Sequence, residues 1–259
     1  MIAVRLLGPV QIFSGQDFVD CGPARQRCVL AALAVDAGRP VPIPTLIDRV
    51  WDESPPQRAQ HALQVYLSRI RGVLAEAGTE AEAGSGASAG ISRRSGGYAL
   101  ELGGGRLDLA GVRAALALAA RPGITPDVRG DALERALRLW EGLPLADLQG
   151  RWVDQARQQW RQLRLETLIR WAGARLESGR ADEVIGALSG AIADFPLAEP
   201  LRAAQMRALV AAHRRAEALA AYESARAHLA EELGVDPGPE LTVLHRDILR
   251  GQVPAPAAV

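Results

Sequence analysis

The chain has 259 residues, enough for a sizeable core and one or two domains, and its 48% apolar content excludes a mainly disordered polymer. Thirty arginines and thirty acids cancel, so any nucleic-acid site has to come from local placement of charge rather than from bulk charge. The sequence contains no lysine, which removes a Walker A lysine, a Schiff-base lysine and a lysine general base.

Residues 2–7, 10–13 and 17–20 are short stretches punctuated by Gly8-Pro9 and Ser14-Gly15, and they predict a small antiparallel meander. No segment offers the roughly 20 consecutive apolar residues of a membrane span, so a cytoplasmic protein is expected. Cys21 and Cys28 form neither a disulfide framework nor part of a four-ligand zinc set, and they read as free thiols in a reducing compartment.

Three helices are predicted next. The first covers 24–37 and ends at Gly38 as its C-cap; the second covers 44–51. The third starts at Ser54-Pro55-Pro56-Gln57, with serine as N-cap, prolines in the opening turn and glutamine at the capping-box position, and it runs to about residue 77. Residues 79–90 read as a flexible glycine-rich loop. Two extended runs, 91–94 and 98–102, flank Ser95-Gly96-Gly97 as a hairpin. Beyond Arg106, leucine and alanine recur at helical spacing through 107–121, 126–140, 151–178, 181–194, 198–213, 215–233 and 238–250. Arg180-Ala181-Asp182-Glu183 and Arg215-Ala216-Glu217-Ala218 open similar helices 35 residues apart, close to the tetratricopeptide period. The last residues, 251–259, are a proline-alanine tail, either a terminus or the start of a linker.

On a helical wheel, Leu63, Leu67, Ile70 and Leu74 of the third helix form one stripe, with Ala59, Tyr66 and Val73 beside it. The opposite arc carries Gln57, Arg58, His61, Val65, Ser68 and Gly72, flanked by Gln64 and Arg69, and its first acid is Glu76. Arginine suits guanine, glutamine adenine and serine either, so this arc is suited to base edges as well as to solvent. Three helices and a glycine-tipped hairpin predict a winged helix-turn-helix, with the third helix in the major groove and Arg93 and Arg94 on the wing. Arg25 and Arg27 are expected to be surface charges, and Arg71 to be structural or peripheral.

The stretches VRLLGPVQI, LIDRVWDESPP, ALQVYLSRIRGVL, GGYAL, LWEGLPLADL, PLAEPLRAAQMRAL and RAEALAAYESARAHLAEELGVDPGPEL, in this order, resemble the Streptomyces antibiotic regulatory proteins over residues 2–250. The resemblance implies a mainly α fold with a small β component. An OmpR-type winged-helix DNA-binding domain would cover 1–103. An all-α, tetratricopeptide-like bacterial transcriptional activation domain would cover 107–250. It further implies an activator that binds double-stranded promoter DNA at direct repeats near the −35 element. Such a protein forms a homodimer on DNA and recruits RNA polymerase holoenzyme to secondary-metabolite genes, without a cofactor or metal. Carried over by position, Arg58, His61, Gln64 and Val65 would read bases, Ser68, Arg69, Arg93 and Arg94 would meet the DNA backbone, and Asp52 and Glu53 would touch polymerase. For those two acids, helix-turn charge is an equal reading. Two departures stand out: the long connection at 79–90, and AAHRRAEAL in place of a glycine-containing turn.

Other classes have less behind them. His61, His213, His228 and His245 lack a nucleophile or metal partner at telling spacing, and Asp108, Asp127 and Asp131 show no paired-carboxylate logic, so no enzyme is expected. The alternative is a tetratricopeptide-like interaction scaffold or ligand-responsive regulator with weak DNA binding. Trp140, Trp152, Trp160 and Trp171 could line a partner surface, though helix-packing core is the plainer role.

Overall fold

The structure, a computed structural model, describes residues 1–81 and 89–252. Most of the predicted glycine-rich loop and the end of the proline-alanine tail lie outside these residues. The chain forms two compact units, one of Met1–Ala114 with Arg138–Gln162, the other of Ala115–Leu137 with Leu163–Val259.

In the first unit, β1 (Ile2–Arg5), β2 (Gln11–Ser14) and β3 (Asp17–Val19) form the antiparallel meander. A fourth strand, β7 (Arg106–Leu107), pairs parallel with β1 and gives the order β3-β2-β1-β7. Helices α1 (Ala24–Ala34), α2 (Ile43–Trp51) and α3 (Ala59–Ala81) follow, with the two-residue strand β4 (Val41–Pro42) ahead of α2. The hairpin of β5 (Gly90–Arg94) and β6 (Gly97–Glu101) accepts β4 at its edge, in the order β4-β6-β5. Close approach explains Gly97, where a Cβ would come within 2.0 Å of the Val41 carbonyl oxygen. Strands β4 and β7 are absent from the sequence reading because two residues show no alternation.

Leu6, Leu7, Ile12, Leu30, Leu33, Leu46, Leu63, Leu67, Ile70 and Leu100 are all fully buried in this unit. Burial of each such side chain contributes roughly 1.5–3 kcal/mol. The end of β1 has no sheet partner and is satisfied from far along the chain. Asp108, at the start of α4 (Asp108–Ala119), accepts the Leu6 and Leu7 N–H groups at 2.6 and 2.7 Å, and its other oxygen accepts Leu109 N–H at 2.7 Å. The Leu6 and Leu7 carbonyls accept N–H groups of Leu145 and Glu141 at 3.1 and 3.0 Å, and Val10 N–H donates to Asp147 at 2.9 Å. Arg157 closes the same segment by donating to the carbonyls of Pro144, Leu145 and Leu148 at 2.8–2.9 Å.

The second unit holds α5 (Pro126–Leu137), the C-terminal part of α6 (Arg151–Glu177), α7 (Ala181–Asp194), α8 (Glu199–Ala211), α9 (Arg215–Leu233) and α10 (Pro239–Arg250). Trp171, Ala172, Val184, Leu188, Leu201 and Ala204 share one core; Ala203, Met206, Ala218, Tyr222, Leu241 and Leu244 share a second. Buried Trp160 and Trp171 are helix-packing residues, as expected, while Trp140 and Trp152 are half-buried. Arg175 is fully buried, pairing with Glu134 and with Asp131 at 2.8 Å, and Gly130 leaves it space.

The helical repeat differs by one residue from its sequence reading. The residues preceding α7 and α9 are Arg180 (φ −97°, ψ 50°) and Arg214 (φ −97°, ψ 52°), so the period is 34 rather than 35. Arg180 pairs with Glu183 at 2.8 Å and Arg214 with Glu217 at 2.7 Å, the same three-residue step. In that register Val184 and Ala218, both without exposed surface, become equivalent. So do Gly179 (φ 73°) and His213 (φ 61°). The Arg180 N–H reaches back to the Arg175 carbonyl at 2.9 Å and the Arg214 N–H to Leu209 at 2.7 Å. The glycine-free junction therefore keeps the glycine geometry.

Candidate nucleic-acid interface

The third helix begins later than its capping signals predict. Ser54, Pro55 and Pro56 are not helical, Gln57 and Arg58 form a turn, and α3 starts at Ala59. Each proline disfavours the α conformation in the residue before it, which keeps Ser54 and Pro55 out of the helix and overrides the capping box. The Arg58 carbonyl accepts the Ala62 N–H at 3.0 Å, so Arg58 stands at the entrance of the helix. At its other end α3 runs four residues past the predicted stop. The first helix is shorter than expected, ending at Ala34; Gly38 has φ 81° but donates to the Leu100 carbonyl at 2.8 Å instead of capping α1.

The two faces of α3 separate as the wheel predicts. Ala59, Leu63, Leu67, Ile70, Leu74 and Ala77 are buried; Arg58, His61, Gln64, Ser68 and Arg69 are exposed, and Val65 is half-buried. These six residues lie on one continuous arc of the helix and its entrance. Arg58 and Arg69 have no side-chain partner among the described residues, so their guanidinium groups are uncommitted. Arg71 is committed: its Nε donates to the Ile91 carbonyl at 2.9 Å and its guanidinium lies 5.8 Å from the Tyr98 ring centre. That bond ties α3 to β5 and fixes the wing relative to the helix.

The wing arginines differ from each other. Arg93 is exposed and without a partner among the described residues. Arg94 Nη2 donates to Glu101 Oε1 at 2.7 Å, and the same oxygen accepts the Ser92 hydroxyl at 2.7 Å. Ser92 and then Arg94 hold the Glu101 carboxyl below its usual pKa. Glu101 escaped the sequence reading, although alternation along GGYALE does place it on the Ser92 and Arg94 face.

Asp52 and Glu53 are engaged within their own unit. Asp52 (φ 50°) accepts the Arg151 backbone N–H at 3.1 Å, at the N-terminus of α6, and Glu53 accepts Arg151 Nη1 at 3.0 Å. A carboxylate there meets the positive end of the helix dipole. Arg151 also reaches Asp48 at 3.4 Å, a partner with no signature in the sequence. Arg25 is exposed, as expected of a surface charge, although its guanidinium donates to the Val50 carbonyl, whereas Arg27 is half-buried and pairs with Asp147. Cys21 and Cys28 are buried free thiols, which burial pushes up to about 11 and about 12, so both stay protonated.

Three helices with a solvent-facing third member and a following β-hairpin wing define a winged helix-turn-helix DNA-binding protein, here continuous with a tetratricopeptide-like helical unit. Comparison with known proteins agrees. Residues 22–84 match the family described as transcriptional regulatory protein, C terminal, and residues 107–249 match the bacterial transcriptional activator domain. The regulatory protein AfsR of Streptomyces griseus is 36% identical over 95% of this chain and 24% of its own length. The transcriptional regulator RedD of Streptomyces coelicolor is 34% identical over 96% of this chain and 70% of its own. The solved structure described as Mycobacterium tuberculosis EmbR in complex with low affinity phosphopeptide superposes with a TM-score of 0.81 at 31% identity, covering 97% of this chain and 66% of that one. The chain belongs to the Streptomyces antibiotic regulatory protein family of transcriptional regulators. It spans about a quarter of the length of AfsR and just under two thirds of the EmbR chain.

Proposed function

We propose that this regulator is a transcription activator that binds direct repeats near a promoter's −35 element as a homodimer and recruits RNA polymerase holoenzyme, at secondary-metabolite genes in the cytoplasm. The observation that carries the reading is the acid-free arc of exposed Arg58, His61, Gln64, Ser68 and Arg69 with half-buried Val65 among them, set opposite a fully buried leucine stripe. In this reading Arg58 takes guanine, Gln64 adenine, His61 an acceptor edge and Val65 a thymine methyl, while Ser68, Arg69, Arg93 and Arg94 take the backbone. Asp52 and Glu53 are the proposed polymerase-facing acids, in a patch shared with Arg151 and Asp48.

A salt titration on promoter DNA carrying direct repeats tests this. Log K should fall by about 0.9 per phosphate contact per log unit of salt. Arg69→Ala should weaken all sequences alike and make the slope shallower by about 1, and Gln64→Ala should relax preference at particular bases by roughly 1–3 kcal/mol. No specific retention at any salt would defeat the proposal. A base-preference change from Arg69→Ala without one from Gln64→Ala would reverse the assignment of the helix face.

A further inference from the structure

The two wing arginines leave the hairpin on opposite faces. β5 and β6 pair Gly90 with Glu101, Ser92 with Ala99 and Arg94 with Gly97, so Ser92, Arg94 and Glu101 share one face and Arg93 takes the other. Arg94 stands opposite Gly97 beside the tip, while Glu101 is four residues further along β6, about 13 Å of strand. To reach Glu101 Oε1 at 2.7 Å, the Arg94 side chain has to lie back along the hairpin, away from the Ser95-Gly96 tip. The Ser92 hydroxyl, donating to the same oxygen at 2.7 Å, holds the carboxylate in place for it.

We propose that Glu101 is a latch on the wing: its carboxylate competes with a DNA phosphate for Arg94 and so sets the strength and salt dependence of the wing's backbone contact. The latch rests on the DNA-binding reading above. It is a weak restraint, since the side chains of Arg94 and Glu101 are 50% and 42% exposed and such pairs are heavily screened. A phosphate, which offers a guanidinium two oxygens, can displace one carboxylate oxygen, but part of the gain is spent breaking the existing pair. Arg93, with no such pair among the described residues, carries no such cost.

The test is Glu101→Gln, which removes the charge while keeping an oxygen for Ser92, studied with and without Arg94→Ala in a double-mutant cycle. With Arg94 present, affinity for direct-repeat promoter DNA should rise roughly two- to five-fold, the range of an exposed pair. The log K against log salt slope should steepen measurably, by at most about 0.9, as an Arg94–phosphate contact that Glu101 leaves only partly made becomes complete. In the Arg94→Ala background the slope should stay put. Weaker binding by Glu101→Gln would mean that the acid presents Arg94 to DNA, and overturns the latch. An unchanged slope with Arg94 present, or the same steepening in both backgrounds, overturns it too. Failure of the unsubstituted protein to bind specifically would defeat the DNA-binding reading itself, and is seen before any substitution. Matched thermal unfolding midpoints keep the comparison on folded protein.

Discussion

A single carboxylate, Asp108, closes the end of β1. It accepts three backbone N–H groups, two of them more than a hundred residues away in the chain. Burial pushes its carboxyl above the ordinary value, against the lowering pull of those amides. A carboxyl with a higher pKa folded than unfolded binds its proton more tightly when folded. Its stabilising contribution is therefore complete below the unfolded value, about 3.9, and is lost as pH rises through the folded one. Asp108→Asn offers one acceptor oxygen where two are used, and it should cost about 1–3 kcal/mol in urea unfolding at neutral pH. The variant does not titrate here, so its deficit relative to the unsubstituted protein should narrow as pH rises from about 3 through the acid range. A deficit that widens instead would mean that the amides outweigh burial. Asp108 was legible in the sequence only as an acid without a carboxylate partner, because a backbone partner at such separation leaves no spacing to read.

Helix α3 shows what periodicity resolves and what it misses. The leucine stripe and polar arc follow from the 3.6-residue repeat and recur in the structure, because burying Leu63, Leu67, Ile70 and Leu74 outweighs any local preference. The start of the helix does not follow from the repeat: Ser54 carries a capping pattern that Pro55 and Pro56 override. The helical hairpins err by one residue for a related reason. Matching Arg180 to Arg215 aligns side-chain names, whereas the repeat is set by backbone, with Arg214 in the place of Arg180 and His213 in the place of Gly179. A non-glycine residue in the left-handed region carries a penalty of roughly 1–2 kcal/mol, partly offset by the unfolded-state freedom that glycine adds. His213 is exposed, so His213→Gly should raise stability by about 0.5–1 kcal/mol, read as a higher thermal midpoint. An unchanged or lower midpoint would show that the imidazole is doing something at the junction.

Over the whole molecule, the family and the division of labour between winged helix and helical repeat were readable from ordered motifs. The long-range closures were not. Strands β4 and β7 and the Arg151 contacts to the α2–α3 turn all join residues whose proximity only folding creates. One of these closures bears on how the DNA-binding half can be handled alone. The boundary read from sequence falls near residue 103, but the acceptors and donors that complete β1 come from Asp108, Glu141, Leu145 and Asp147. A polypeptide stopping at residue 103 would leave the Leu6, Leu7 and Val10 amides to water. In hydrogen exchange those amides should be protected in the full chain and unprotected in the short one, while the Arg5 N–H, bonded within the sheet, retains some protection. Equal protection of the Leu6 and Leu7 amides in both would show that the distant segment is dispensable. Asp108 and the stretch after α5 are thus the final turn of the key for the amino-terminal half: a reader of DNA whose own first strand is locked by residues that a minimal fragment would discard.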